Sequence, residues 1–175
     1  YGLTGSRSVF AHCVHLEEQE WDCMHQTDSA IAFCPTSNLF LGSGLFPIHQ
    51  TWQKQVKMGL GTDIGAGTSF SQLRTISDAY KVQQLLEQNL SAYEALYHAT
   101  LGGAKALDLD DKLGNFNVGK EADFIVLDLN ATALQALRQQ HSKGLEDSLF
   151  ALMTMGDERN IQATYIYGQC AYVRD

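Results

Sequence analysis

The sequence carries little positive charge. Its 175 residues include 12 lysines and arginines against 20 aspartates and glutamates, which gives a formal net charge of -8. Proteins that bind nucleic acids or anionic membranes need a basic surface to pair with phosphates. We therefore expect neither nucleic acid nor a membrane as a partner.

Long apolar runs are missing as well. No run approaches the roughly 20 residues that a membrane-spanning helix needs, and no secretory signal is visible at the start. The sequence begins at Tyr1 rather than at a methionine, from which we expect further residues upstream. With 45% hydrophobic and 18% charged residues, the composition is that of a globular domain. We expect a cytoplasmic protein, because the few cysteines favour reduced thiols over disulfides.

Cysteines are few and irregularly spaced. The four of them lack the dense framework that staples small secreted domains, and no Cys-x-x-Cys pair of a structural zinc site occurs. A zinc cluster of His12, Cys13, His15 and Cys23 is disfavoured for that reason. Cys13 and Cys34 lie in apolar, strand-like runs, so buried, reduced thiols are favoured over disulfides.

The first half of the chain alternates strand-like and helix-like stretches. The predicted strands are residues 8–11, 30–34 and 58–62; the predicted helices are 17–24, 46–57 and a longer one carrying Leu73, Ile76 and Tyr80. A glycine-rich loop follows the third strand at 64–67. This alternation is typical of β/α units around a parallel sheet.

The second half predicts a small β element. Ser91 and Glu94 fit a capping box at the start of a helix, and a turn-rich passage covers 110–121. Short strands are predicted at 123–127, 163–167 and 170–173, with Gly168-Gln169 as a hairpin turn between the last two. Amphipathic stretches at 134–139 and 145–153 lie between these strands.

Chemically useful side chains follow all three strands of the first half. In β/α barrels the functional residues lie at the C-terminal ends of the strands, and here these are His12, the 34–38 turn and Asp63. An imidazole and a carboxylate placed there can converge on one metal ion or one water. From the residues alone a structural interpretation stays open, because aspartate often caps helices or forms turns and single histidines are often merely packed.

Short motifs at these positions resemble a known family. FAHC (10–13), CPTSN (34–38) and GLGTD (59–63) resemble the ends of strands six, seven and eight in the amidohydrolase superfamily. Further stretches are similar to the guanine deaminases of that superfamily: LFLGSGLF (39–46), ATLGGA (99–104), GNF (114–116), GKEAD (119–123), MGDERN (155–160) and YIYG (165–168). The resemblance covers nearly the whole chain.

The resemblance implies an α/β fold with two parts. Residues 1–107 would be the last β/α units, strands six to eight, of a metal-dependent hydrolase TIM barrel. Residues 108–175 would be the C-terminal part of a small β-sandwich domain. An eight-stranded barrel typically needs about 250 residues, so the barrel requires a longer parent chain.

The resemblance also implies a reaction, the hydrolytic deamination of guanine to xanthine and ammonia in purine catabolism. One Zn²⁺ per subunit would activate water, with Asp63 as metal ligand and general base and His12 beside the water or the developing oxyanion; both would contact the purine. The other metal ligands would lie upstream, and the enzyme would be a homodimer. The cytidine-type deaminase signature is disfavoured, because Cys34-Pro35 lacks the following cysteine.

Other patterns receive simpler interpretations. His15-Leu16-Glu17-Glu18 matches a His-x-x-Glu metal motif by letter, but we interpret the two glutamates as first-turn helix acids and His15 as a loop residue. Gly65-Ala66-Gly67 lacks the lysine of a phosphate loop and would let the backbone approach the substrate. The remaining histidines are expected to be surface or packing residues: His25, His49, His98 and His141. Trp21 and Trp52 lie on helix faces and are expected to pack.

Two alternatives remain open at this point. One is a related amidohydrolase that deaminates or dechlorinates another purine, pyrimidine or triazine ring. The other, of a different class, is an inactive piece or an assembly module.

Overall fold

Three short parallel strands form the first sheet. In the computed structural model, which describes residues 2–175, β1 (Val9–Ala11), β2 (Ala30–Phe33) and β3 (Lys57–Leu60) lie side by side in that order. Phe10 pairs with Ile31, and Ala32 pairs with Gly59. All three strands run in the same direction, so their C-terminal ends meet at one edge of the sheet.

Helices connect and follow these strands. They are α1 (Glu18–Gln26), α2 (Pro35–Leu41), α3 (Ile48–Gln53) and α4 (Gln72–Leu85). The predicted turn at 34–38 is wrong in part, because Pro35 begins α2, at the position where a missing N–H costs nothing. The predicted helix 46–57 is too long: Gln55 adopts a positive φ of 54° just past α3, and the chain is already in β3 at Lys57.

The core lies between the parallel sheet and the helices. Phe46 packs against Phe33 and Trp21 with ring centroids 4.9 and 6.0 Å apart, and all three side chains are buried. The second tryptophan differs, because Trp52 is 43% exposed while its ring lies 6.0 Å from that of His98. The prediction that both tryptophans pack holds fully only for Trp21.

Two helices after α4 cover β3. The capping box at Ser91 is present, and it opens α5 (Ala92–Ala99). Helix α6 (Leu101–Ala106) was not predicted as a separate helix; it is divided from α5 by the non-helical backbone conformation of Thr100. This helix approaches β3 closely, since a Cβ atom on Gly59 would lie 2.8 Å from the Cα of Gly103.

The second sheet is antiparallel, with order β4 (Phe124–Leu127), β5 (Ile161–Ile166) and β6 (Gln169–Val173). The predicted hairpin turn is one residue off, because Gln169 already belongs to β6. The turn residues are Tyr167 and Gly168, with positive φ of 55° and 72°. Two successive positive φ values match the twist of a two-residue hairpin.

The last two helices, α7 (Ala133–Gln139) and α8 (Leu145–Met155), join the two halves. Phe150 of α8 packs edge-on against Tyr80 of α4 with centroids 5.5 Å apart. Leu152 and Met153 are buried in the same apolar cluster as Phe33. The core of the parallel sheet therefore extends into the second half of the chain.

All four cysteines are free, but only Cys34 is fully buried. Cys13 is partly buried, and Cys23 and Cys170 are exposed, so the expectation of buried thiols is correct for Cys34 alone. None of the helices in residues 2–175 is long and apolar enough to cross a membrane.

Candidate active site

The candidate site lies at the C-terminal edge of the parallel sheet. His12 follows β1 directly, Cys34 follows β2, and Asp63 comes three residues after β3. Backbone hydrogen bonds extend the ladder past the strands: the His12 N–H donates to Ala32 O at 3.0 Å, and the Gly61 N–H donates to Phe33 O at 2.8 Å. The sheet therefore presents all three side chains at one edge.

The three side chains converge. The Nε2 atom of His12 lies 3.7 Å from Oδ2 of Asp63. One ligand atom from each of His12, Cys34 and Asp63 lies within 4.8 Å of the other two, and within residues 2–175 this is the one group of three or more His, Cys, Asp or Glu side chains so placed. His12 and Asp63 are 40% and 39% exposed, so the pair is accessible from solvent.

The backbone at this edge adopts an uncommon conformation. His12, Cys13 and Asp63 have positive φ values of 70°, 52° and 47°. Such conformations are rare for residues other than glycine and cluster at functional sites, where the surrounding structure enforces them. Here they turn the chain sharply at the strand ends and bring the His12 and Asp63 side chains together.

A tight loop holds Asp63. The Gly67 N–H donates to the Asp63 carbonyl at 2.6 Å. A Cβ atom at position 67 would overlap the Thr62 carbonyl oxygen and would lie 2.9 Å from the Asp63 carbonyl oxygen. Contacts within the chain therefore explain why glycine occupies position 67. The predicted approach of this backbone to the substrate is a separate reason, which these contacts do not test.

His12 has a second polar neighbour that sequence analysis did not single out. Its Nδ1 atom lies 2.7 Å from Oδ1 of Asn38, a residue 1% exposed on α2. Asn38 entered the prediction only as the last residue of the 34–38 turn. Pro35 signals a helix start and so places Asn38 in the first turn of a helix, but no sequence pattern pairs it with His12.

Cys34 is the most buried of the three groups, and its thiol donates to the Ala32 carbonyl oxygen at 3.4 Å. Burial and the nearby Asp63 carboxylate raise the pKa of its thiol to about 11. Without a metal ion the thiol is therefore protonated at neutral pH. The imidazole of His12 and the carboxylate of Asp63 are the remaining donors.

The residues that match the His-x-x-Glu pattern do not form a second metal site. Glu17 forms a capping box with Glu20 at the start of α1, and Glu18 pairs with Lys54. The His15 ring lies 2.7 Å from the Ser43 carbonyl oxygen. Each of these side chains therefore contacts a structural partner rather than a shared metal position.

The other histidines stay away from the site. His25 and His141 are exposed and His49 is partly exposed. His98 is buried between α5 and β3, and burial lowers its pKa.

Comparison with known proteins decides the family. The model of the family described as "Amidohydrolase family" matches residues 1–171. The chain belongs to the amidohydrolase family. The α/β fold expected from the resemblance is confirmed.

Several amidohydrolases are close in sequence or structure. Guanine deaminase of Escherichia coli (strain K12) is 62% identical over 175 residues, 100% of this chain and 40% of the relative. A solved structure of E. coli guanine deaminase superposes with a TM-score of 0.97 at 61% identity, covering 99% of this chain and 41% of that one.

Two more distant structures carry ligands. Guanine deaminase from C. acetobutylicum with bound guanine has a TM-score of 0.84 at 29% identity, over 98% of this chain and 41% of that one. An adenosine deaminase from Xanthomonas campestris with bound zinc has a TM-score of 0.85 at 28% identity, over 98% and 38%. This amidohydrolase chain thus spans about 40% of the length of the relatives it matches.

Proposed function

We propose that this chain is the C-terminal portion of a guanine deaminase, which hydrolyses guanine to xanthine and ammonia. The main support for this proposal is the convergence of His12 and Asp63 at the ends of parallel strands, with 3.7 Å between Nε2 and Oδ2. It occurs in a segment 62% identical to a guanine deaminase along its entire length.

We propose that β1, β2 and β3 are strands six to eight of a TIM barrel, within residues 1–107. Their parallel order and their intervening helices support this assignment. Residues 108–175 would contribute the C-terminal part of a β-sandwich, supported by the antiparallel order β4-β5-β6.

The donor set fits one divalent metal ion, which we propose is zinc. Zinc accepts imidazole and carboxylate ligands and commonly takes three from the protein in a catalytic site. Asp63 would be the ligand from this chain, with His12 beside the metal-bound water and the other ligands upstream. When bound, zinc supplies a water whose pKa is lowered to about 7.

The two side chains divide the proton transfers. The Asp63 carboxylate would take a proton from the attacking water, and His12 would accept a hydrogen bond from the same water. That oxygen forms a bond to the carbon bearing the exocyclic amine of guanine as the ring C=N double bond opens and its electron pair moves to the ring nitrogen. This pair returns to re-form the double bond when the exocyclic amine leaves. The carbon–nitrogen bond then breaks, and the amine leaves as ammonia after it receives a proton from the Asp63 carboxyl group.

The experiment compares substrates and variants of the full-length protein. Ammonia release is measured from guanine, adenosine and cytosine, and chloride release is measured from a chlorinated triazine. Asp63→Asn should fold normally yet lose roughly a hundredfold or more of the activity, because an amide cannot act as the base. Asp111→Asn, an exposed aspartate in the turn-rich passage, is the matched control.

Two outcomes would contradict this proposal separately. Turnover of another ring with none of guanine would favour the related amidohydrolase instead. Near-normal activity of Asp63→Asn would remove Asp63 from the mechanism while leaving the substrate assignment intact.

The resemblance further supports a homodimer and a cytoplasmic location. Four free thiols fit a reducing compartment. Light scattering of the full-length protein would test the homodimer directly.

A further inference from the structure

The two ring nitrogens of His12 face different groups. Nε2 points toward Asp63, with 3.7 Å between Nε2 and Oδ2. Nδ1 points away from it, toward Oδ1 of Asn38 at 2.7 Å. Asn38, on the side of the ring opposite to Asp63, therefore sets the orientation of the His12 ring.

Asn38 is held firmly in place. The Asn38 N–H donates to Cys34 O at 3.0 Å, and its carbonyl accepts from the Ser43 N–H at 2.9 Å. Two residues earlier, the Thr36 hydroxyl donates to Asp78 of α4 at 2.7 Å, which ties α2 to a neighbouring helix. The amide of Asn38 is thus presented to His12 from a fixed backbone.

The Asn38 side chain has no other partner within residues 2–175. It is 1% exposed, and its buried Nδ2 atom makes no hydrogen bond there. A buried amide that served only to join elements would be expected to satisfy both of its ends. The one side-chain contact that it makes is to His12.

This contact fixes which ring nitrogen carries the proton. The carbonyl oxygen of an amide only accepts hydrogen bonds, so Nδ1 of neutral His12 must be the donor. The lone pair of Nε2 then faces the Asp63 carboxylate across a gap too long for a direct hydrogen bond. Two acceptors on either side of such a gap suit a water molecule that donates one hydrogen to each.

We propose that Asn38 is a positioning residue for His12. It holds the imidazole in the tautomer with a proton on Nδ1, so that Nε2 accepts a hydrogen bond from the attacking water. The proposal rests on the deaminase function proposed above, and it adds a residue that acts through His12 without touching the substrate.

The first test reads the tautomer directly, without any activity measurement. The imidazole ¹⁵N shifts of the full-length protein are recorded, and His12 is assigned by the signal that disappears in His12→Ala. We expect a protonated Nδ1 in the natural protein and a mixture of tautomers in Asn38→Leu. Asn38→Asp, which keeps the accepting oxygen, should retain the Nδ1-protonated form. A proton on Nε2 in the natural protein would overturn the proposal.

The second test is a double-mutant cycle on kcat and KM. Asn38→Leu should lower kcat by about 10- to 100-fold, the range typical of residues that orient a functional histidine, with little change in KM. Combined with His12→Ala it should add no further loss, since its effect passes through His12. Thr51→Ala, which removes a buried hydroxyl from α3, outside the candidate site, should leave kcat nearly unchanged.

The outcomes separate the two proposals. An equal loss from Asn38→Leu with and without His12, or an equal loss in Thr51→Ala, would make Asn38 merely structural. If the natural protein deaminates a ring other than guanine, the proposed substrate is wrong, yet the tautomer and the cycle still decide the role of Asn38.

Discussion

Backbone conformation at single residues sets the geometry of the candidate site. His12 and Asp63 both take left-handed conformations, which cost non-glycine residues on the order of 1–3 kcal/mol each. The neighbouring hydrogen bonds, such as the one from Gly67 to the Asp63 carbonyl, hold this strain in place. A substitution can therefore disturb the site without touching either functional side chain.

Gly67→Ala tests this dependence. A Cβ atom would overlap the Thr62 carbonyl oxygen, so the loop must shift and carry Asp63 with it. Because a displacement of about 1 Å can cost on the order of a hundredfold in rate, we expect a loss of that size in kcat for ammonia release by the full-length protein. Gly144→Ala is the control, since its φ of 177° is extended and nothing lies within 4 Å. Equal activity of the two variants would show that the Asp63 loop tolerates displacement.

Among the helices and strands, the sequence predicted those whose formation depends on neighbouring residues. The capping box of α5 and the apolar runs of β1 and β2 were readable, because caps and burial leave direct marks on the sequence. Helix α6 was not readable: two of its six residues are glycines, which disfavour helices. Those glycines are explained by tertiary contact, since Gly103 lies against Gly59 of β3.

The same limit applied to the candidate site. The positions of His12 and Asp63 at strand ends followed from the alternation of strands and helices, and the structure does place them together. Asn38 could not be assigned a partner, because its contact with His12 spans 26 residues and depends on where α2 begins. Long-range side-chain pairs of this kind leave no periodic signal.

The packing of α5 on β3 predicts a pH effect on stability. His98 is 3% exposed, and burial is the main cause of its lowered pKa, outweighing the Met58 carbonyl and Glu94, which raise it. The unfolded chain, with a His98 pKa near 6.5, then binds a proton more readily than the folded chain. Stability is therefore complete above about pH 6.5 and falls as the pH is lowered toward the folded-state value.

The measurement is the melting temperature of the full-length protein between pH 7.5 and 5.5. His98→Gln removes the titrating group, so its melting temperature should fall less over this range than that of the natural protein. His141→Gln, at an exposed position, should follow the natural protein. A parallel decline in all three would show that His98 does not contribute.

At the scale of the whole molecule, the two halves of the chain share one hydrophobic core, but two strand edges of the parallel sheet are unpaired within residues 2–175. Leu152 and Met153 of α8 pack into the cluster that contains Phe33, so the second half stabilises the first. Within residues 2–175, however, β1 and β3 each pair only with β2, which leaves one edge of each strand without a partner. Unpaired strand edges are templates for association with other chains.

The last prediction concerns residues 1–175 expressed alone. Catalytic zinc usually takes three protein ligands, and of the three converging groups we assign only Asp63 as a ligand, with His12 beside the water. One carboxylate holds zinc weakly, and the open strand edges favour aggregation or partial unfolding. We therefore expect substoichiometric zinc by atomic absorption and no ammonia from guanine, whereas the full-length protein should show both. A soluble monomer with one zinc per chain and steady turnover would contradict both the ligand assignment and the incomplete barrel.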